Sequence, residues 1–122
     1  MAKRGKSPKP GDRIMIFKER WLNLILKKRK TLEIRSRALK EGPYWLGCKG
    51  IIRGKAVFAA PKLIRDKDDW ASLRGKHCVD ADELPYKKTW ALPILSARAV
   101  EHKRYKHPQG AIGIVLFRPP EE

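Results

Sequence analysis

The sequence predicts an α+β domain built as a small mixed β-barrel with two or three short flanking helices. Segments of period two or of β-branched, apolar character outnumber segments of helical period. Gly47, Gly50 and Gly54 punctuate one apolar stretch, as the tight bends and bulges of a small barrel require. A chain of 122 residues with 42% hydrophobic content forms one domain with a real core and needs no disulfide or metal to hold it. Regular βαβ alternation and a glycine-rich phosphate loop are both missing, which excludes a dinucleotide-binding fold. No internal repeat is visible.

Residues 1–12 are rich in Lys, Pro, Gly and Ser and read as a flexible basic arm. The domain is expected over 13–118 and a tail over 119–122. Residues 13–18 (RIMIFK) form a strand. From Glu19 the period changes: Trp21, Leu22, Ile25 and Leu26 recur at helical spacing through Lys28, and the basic block Lys27, Lys28, Arg29 and Lys30 falls at the helix C-terminus, where cations suit the dipole. Residues 31–37 (TLEIRSR) return to period two, with Leu32 and Ile34 on one face and Thr31, Glu33, Arg35 and Arg37 on the other.

A turn at 42–45 leads into an apolar strand region that runs to Phe58. Asp66 starts a short helix that carries Trp70 and Leu73 and extends to Gly75. A further helical turn is expected over 79–86. Residues 89–100 are mostly strand, with Pro93 demanding an edge or a bulge. Residues 103–107 (KRYKH) read as a basic loop, and 111–117 as a final buried strand.

Charge is the dominant global feature. Lys and Arg total 29 against 13 Asp and Glu, a formal net charge of +16. A compact chain of that charge repels itself, so a polyanionic partner is the natural counterpart. The arm does not explain the excess, since it holds only Lys3, Arg4, Lys6 and Lys9 against Asp12. Nucleic acid is the expected partner, with Lys and Arg on phosphates. An anionic membrane fits less well, because the one amphipathic segment reads as a core helix.

The segment most able to carry chemistry is 21–37. Its strand brings Thr31, Glu33, Arg35 and Arg37 to one face, with Lys30 at the entrance. The basic neighbours of Glu33 favour its carboxylate, and the guanidinium forks suit phosphates or base edges. An ordinary solvated face with local ion pairs shows the same pattern.

The stretch 30–37 (KTLEIRSR), preceded by Trp21 and Ile25 on a helix, resembles the ASCH family, named for the activating signal cointegrator homology region. Its signature joins a Lys-x-x-Glu-x-Arg strand to an upstream helix. The later half fits as well: Trp90 on a strand, then Arg98, then His107, Pro108, Gln109 and Gly110 before a last apolar strand. The resemblance covers roughly 13–117. It implies a PUA-like β-barrel, association with RNA or DNA, and a central cleft lined by Lys30, Glu33 and Arg35. Two departures stand out. Lys28 occupies the place, two positions before the motif Lys, where the family commonly has a Gly that supplies a left-handed cap. Glu33 occupies the place where relatives that hydrolyse acetylcytidine look to have a Thr nucleophile, and a carboxylate does not replace an activated hydroxyl.

The expected function is therefore nucleic-acid binding, RNA before DNA, by a basic cleft formed from Lys28, Lys30, Arg35, Arg37, Trp45, Trp90, Arg98, Lys103, Arg104 and Lys106. The alternative is a ribonuclease or nucleoside-modifying hydrolase in the same cleft, with Lys30, Glu33 and Arg35 as its catalytic residues. His77, His102, His107, Cys48 and Cys78 show no zinc spacing. Asp66, Asp68 and Asp69 read as a capped helix start. No metal and no cofactor is expected. A soluble, intracellular monomer is expected, cytoplasmic or, in a eukaryote, nuclear, with both cysteines as thiols. No apolar run approaches the length of a membrane span.

Overall fold

The structure, a computed structural model, describes residues 7–120. The parts of the expected arm and tail at 1–6 and 121–122 lie outside the described residues. The elements run β1 (Arg13–Ile16), α1 (Glu19–Leu26), β2 (Leu32–Arg35), β3 (Gly42–Cys48), β4 (Ile51–Phe58), β5 (Lys62–Ile64), α2 (Lys67–Ser72), α3 (Arg74–His77), β6 (Thr89–Arg104) and β7 (Ile114–Leu116). The strands form one curled sheet in the order β2-β6-β4-β3-β1-β7, with β5 paired to the start of β6. The sheet is mixed, because β1 runs parallel to β3 while the other pairings are antiparallel. It is an α+β half-barrel flanked by three short helices.

The 16-residue β6 is the spine. Its first part lies between β2 and β5, and from Ile94 onward it pairs with β4. Pro93 has no N–H to give the ladder. It sits beside a register shift opposite Val57 and Phe58, and its carbonyl accepts from Ala59 N–H at 2.9 Å.

Register shifts at Leu46/Gly47 and Ile52/Gly54 place bulges at two of the three glycines that punctuate this stretch. The second has a packing consequence. Ile52 joins a cluster with Ile14, Trp45, Tyr105 and Phe117, whereas Ala56 and Phe58 join Met15, Leu22, Ile25 and Leu46 under α1. The bulge thus lets one strand feed a core on each side of the sheet. A third cluster, around Leu32, Ile34, Ile64 and Trp70, closes the end covered by α2 and α3.

Leu22 and Ile25 of α1 are fully buried, each worth about 1.5–3 kcal/mol of apolar transfer. That burial holds the helix on the sheet. Its first turn carries Glu19, on the favourable side of the helix dipole.

Four local expectations differ from the structure. Residues 79–86 form bends without a helix. Arg74 holds them, reaching Asp80 at 2.9 Å, Asp82 at 3.1 Å and the Ala81 carbonyl at 3.2 Å. Lys103 and Arg104 end β6 instead of opening a loop. The last strand is only Ile114–Leu116, with Leu116 exposed on the sheet's edge. The folded body reaches back before Arg13: Gly11 N–H donates to Phe117, and Phe117 N–H to Asp12.

Gly54 marks a tight fit beneath α1. A Cβ there would lie 2.8 Å from Leu26 Cδ2 and 3.0 Å from the Arg98 carbonyl oxygen. Gly54→Ala should therefore destabilise by about 1–3 kcal/mol, as overpacking does. A lowered urea midpoint at constant slope is the expected readout, and an unchanged midpoint would show that α1 is not seated this closely.

Candidate nucleic-acid interface

Helix α1 ends in a Schellman turn. Lys28 N–H donates to the Ile25 carbonyl at 3.0 Å and Arg29 N–H to the Leu24 carbonyl at 2.9 Å. Lys28 sits in the left-handed region at φ 66°. The geometry that usually calls for glycine is thus kept with a lysine, at a cost of about 1–2 kcal/mol in backbone strain. The turn leaves Lys27, Lys28 and Arg29 exposed and directs Lys30 inward.

Lys30 is only 2% exposed. Its ammonium donates to the His77 carbonyl at 2.6 Å, lies 3.7 Å from Glu33 Oε1 and sits 4.9 Å from the Trp21 ring centroid. Burial pushes its pKa below the usual lysine range, and the Glu33 carboxylate opposes that shift. Glu33 itself is 6% exposed. Its Oε2 accepts from Arg35 Nε at 2.7 Å. Arg35 then donates through Nη2 to the Ile16 carbonyl at 2.9 Å and lies over the Phe17 ring at 4.9 Å. Because β2 is one end of the sheet and Ile16 closes β1, this guanidinium bridges the open side of the half-barrel. The motif is an internal ion network that joins the α1–β2 turn, α3, β2 and β1.

The network leans on His77, which is fully buried and stacked on Trp70 with centroids 3.8 Å apart. Its Nδ1 accepts from Val79 N–H at 2.9 Å, and Nε2 lies 3.0 Å from the Trp70 carbonyl oxygen. Both contacts are satisfied by the neutral ring with its proton on Nε2. Burial lowers the His77 pKa and the charges of Lys30 and Arg74 push the same way, while the bond to Trp70 opposes them.

The remaining sequence-predicted residues divide among several places. Trp90 is the cross-strand partner of Arg35 and packs against the core under α1. Arg37 is exposed just past β2. Trp45 is 3% exposed, with its indole N–H donated to Asp12 Oδ2 at 3.0 Å and Lys55 Nζ 4.4 Å from its ring centroid. It belongs to the core on the side of the sheet opposite α1. Arg98 is the partner of Lys55 in the β4–β6 register. Lys103, Arg104 and Lys106 cluster at the far end of β6, where Lys106 N–H meets the Arg118 carbonyl. One compact cleft does not collect them all.

The structure also adds residues. Thr31 N–H donates to the Lys76 carbonyl at 3.0 Å, and the Cys78 thiol lies 3.4 Å from the Arg29 carbonyl. These contacts pack the 76–78 segment, which carries exposed Lys76, against the 29–31 segment that follows exposed Lys27, Lys28 and Arg29. The run at 27–29 is plain in the sequence, whereas nothing local marks Lys76. Cys48 and Cys78 are separate thiols. Among the described residues no three His, Cys, Asp or Glu side chains gather into a metal-binding group, and no helix is long and apolar enough to cross a membrane.

The α+β half-barrel is the fold of a solved ASCH protein. The crystal structure of a point mutant of ZmASCH from Zymomonas mobilis superposes at a TM-score of 0.68 over 92% of each chain, at 14% identity. No family model and no curated protein matches the sequence.

The His77 geometry generates a pH dependence with a defined sign. A base whose folded pKa is lowered binds more protons when unfolded, so stability rises with pH. The contribution is complete above the unfolded pKa, about 6.5, and is lost as pH falls from there toward the folded value. Below about 6.5, each unit should cost at most about 1.4 kcal/mol. Urea midpoints at pH 8 and pH 5.5 check it: the lower pH should give the lower midpoint, and equal midpoints would contradict the buried neutral ring.

Proposed function

We propose that this chain binds nucleic acid, RNA in preference to DNA, with the exposed cations of Lys27, Lys28, Arg29 and Lys76 on phosphates. The carrying observation is that two separate segments, the α1–β2 turn and α3, meet beside the buried Lys30 and both carry exposed cations; in this reading those cations form one basic rim. The formal net charge of +16 supports the reading, because a rim of this kind gains most from a polyanion. The ASCH-type fold agrees with it. RNA comes before DNA because some relatives in the family that the 30–37 segment resembles hydrolyse acetylcytidine, a ribonucleoside. In this reading the protein is an intracellular monomer.

Lys30 and Arg35 support the rim from beneath, and phosphates meet their exposed neighbours. Glu33 has one oxygen on Arg35 and the other facing Lys30. It acts as a buried counter-ion, which does not favour a ribonuclease or hydrolase that uses it as a base.

Fluorescence anisotropy with labelled single-stranded and duplex RNA and DNA tests the proposal. Affinity should fall by orders of magnitude between about 50 and 200 mM salt. Replacing Lys27, Lys28, Arg29 and Lys76 together by Gln should weaken binding at least tenfold at low salt. It should also flatten the log–log salt slope by about 2.8 for single strands, four phosphates at about 0.7 each. Affinity that ignores salt, or a fourfold variant that binds like the wild type, would overturn it.

A further inference from the structure

On the side of the sheet away from α1, the β3–β4–β6 register sets Trp45, Lys55 and Arg98 in one row. Directly opposed residues of antiparallel strands share a face, with Cα atoms about 4.5–5.5 Å apart. Lys55 and Arg98 are therefore like charges facing each other across a strand pair, an arrangement that destabilises a sheet. Lys55 is partly compensated, by the Trp45 ring and the Asp12 carboxylate, while Arg98 is not. The Arg98 side chain is exposed and makes no hydrogen bond or ion pair among the described residues. Asp12, whose carboxylate interacts with Lys55, accepts from Trp45 Nε1 and from Lys9 N–H. Burial opposes its ionisation, but those bonds and the charges of Lys55 and Lys9 hold its carboxyl below the usual range.

Two hollows meet at Lys55. One, about 230 Å³, lies between Asp12, Arg13, Pro43 and Trp45; the other, about 220 Å³, runs from Val57 and Ser96 to Arg98. Each is smaller than the roughly 300–1,000 Å³ that encloses a small molecule. Both are open and share Lys55 in their lining, so they flank it as the two parts of a shallow trough.

From this geometry we infer a second nucleic-acid contact, in which the Lys55–Arg98 pair clamps the phosphodiester backbone of a strand lying in the trough, on the side of the sheet opposite α1. This rests on the nucleic-acid reading and extends it: the protein holds its polymer on two faces. An anionic oxygen between the two cations relieves their repulsion, so the pair that strains the free protein becomes favourable in the complex. The trough takes a backbone, whose recognition is independent of base identity.

The test compares wild type, Arg98→Gln and the Lys55→Gln/Arg98→Gln double variant against a labelled single-stranded RNA. Each lost contact should reduce the salt slope by about 0.7, so by about 1.4 in the double variant, with affinity at low salt about tenfold weaker. The melting temperature of Arg98→Gln should equal or exceed that of the wild type, because the opposed charges are removed. Millimolar inorganic phosphate should not displace the RNA. Full affinity and an unchanged slope in the double variant, while the fourfold rim variant is impaired, would overturn this inference and leave the rim intact. Displacement by phosphate in the wild type alone would also overturn it, by making the trough a site for a free anion. If Arg98→Gln melts lower, the residue is structural and the inference fails.

Discussion

Glu33 bonds Arg35 at 2.7 Å inside a protein that is otherwise crowded with positive charge, and the form of the barrel depends on that bond. The strand path from β2 to β7 does not close through backbone ladders. What spans the open side is the Arg35 guanidinium, held by Glu33 and donated to the Ile16 carbonyl. Without the carboxylate, Lys30 and Arg35 would be two buried or half-buried cations with no counter-charge, and breaking such a network costs several kcal/mol. One acid at the centre lets two bases be buried, and the bases fix the turn on one side and the seam on the other.

This arrangement separates two jobs that the sequence shows as one motif. Within the block 27–35, the residues whose side chains turn inward hold the structure, and those left outside by the Schellman turn present charge to solvent. The left-handed Lys28 sits at the division. A glycine there would relax the backbone and remove a cation from the rim. Keeping lysine trades local strain for surface charge, as local rules are broken where another demand prevails.

Much of the fold was readable in the amino acids. The strand at 13–16, the helix from Glu19, the capped helix at Asp66 and the bulges at Gly47 and Gly54 each follow from a local signal: a period, a cap or a missing side chain. Asp66 accepts from Asp69 N–H at 2.8 Å, as a cap should. The misread parts lack such a signal. Residues 79–86 contain acidic and apolar residues at near-helical spacing, but Arg74 claims Asp80 and Asp82 from outside the segment. Lys103 and Arg104 look like loop, yet Ile51 and Ile52 of β4 draw them into the ladder. The same holds at the site. Period two puts Glu33 and Arg35 on one face, but it does not reveal that the face is covered. That depends on Phe17, Trp21 and His77, which are distant in sequence. Lys55 carries no local signal either, since only the register sets it beside Trp45 and Arg98.

A double-mutant cycle on Glu33→Gln and Arg35→Met, read by urea unfolding, tests most directly whether this buried pair organises the domain. The account predicts that each single change destabilises strongly and that the double change costs less than their sum, with a coupling energy above about 1 kcal/mol. Additivity within about 0.5 kcal/mol would contradict it, because it would mean that the two groups act independently and that the seam is held by something else.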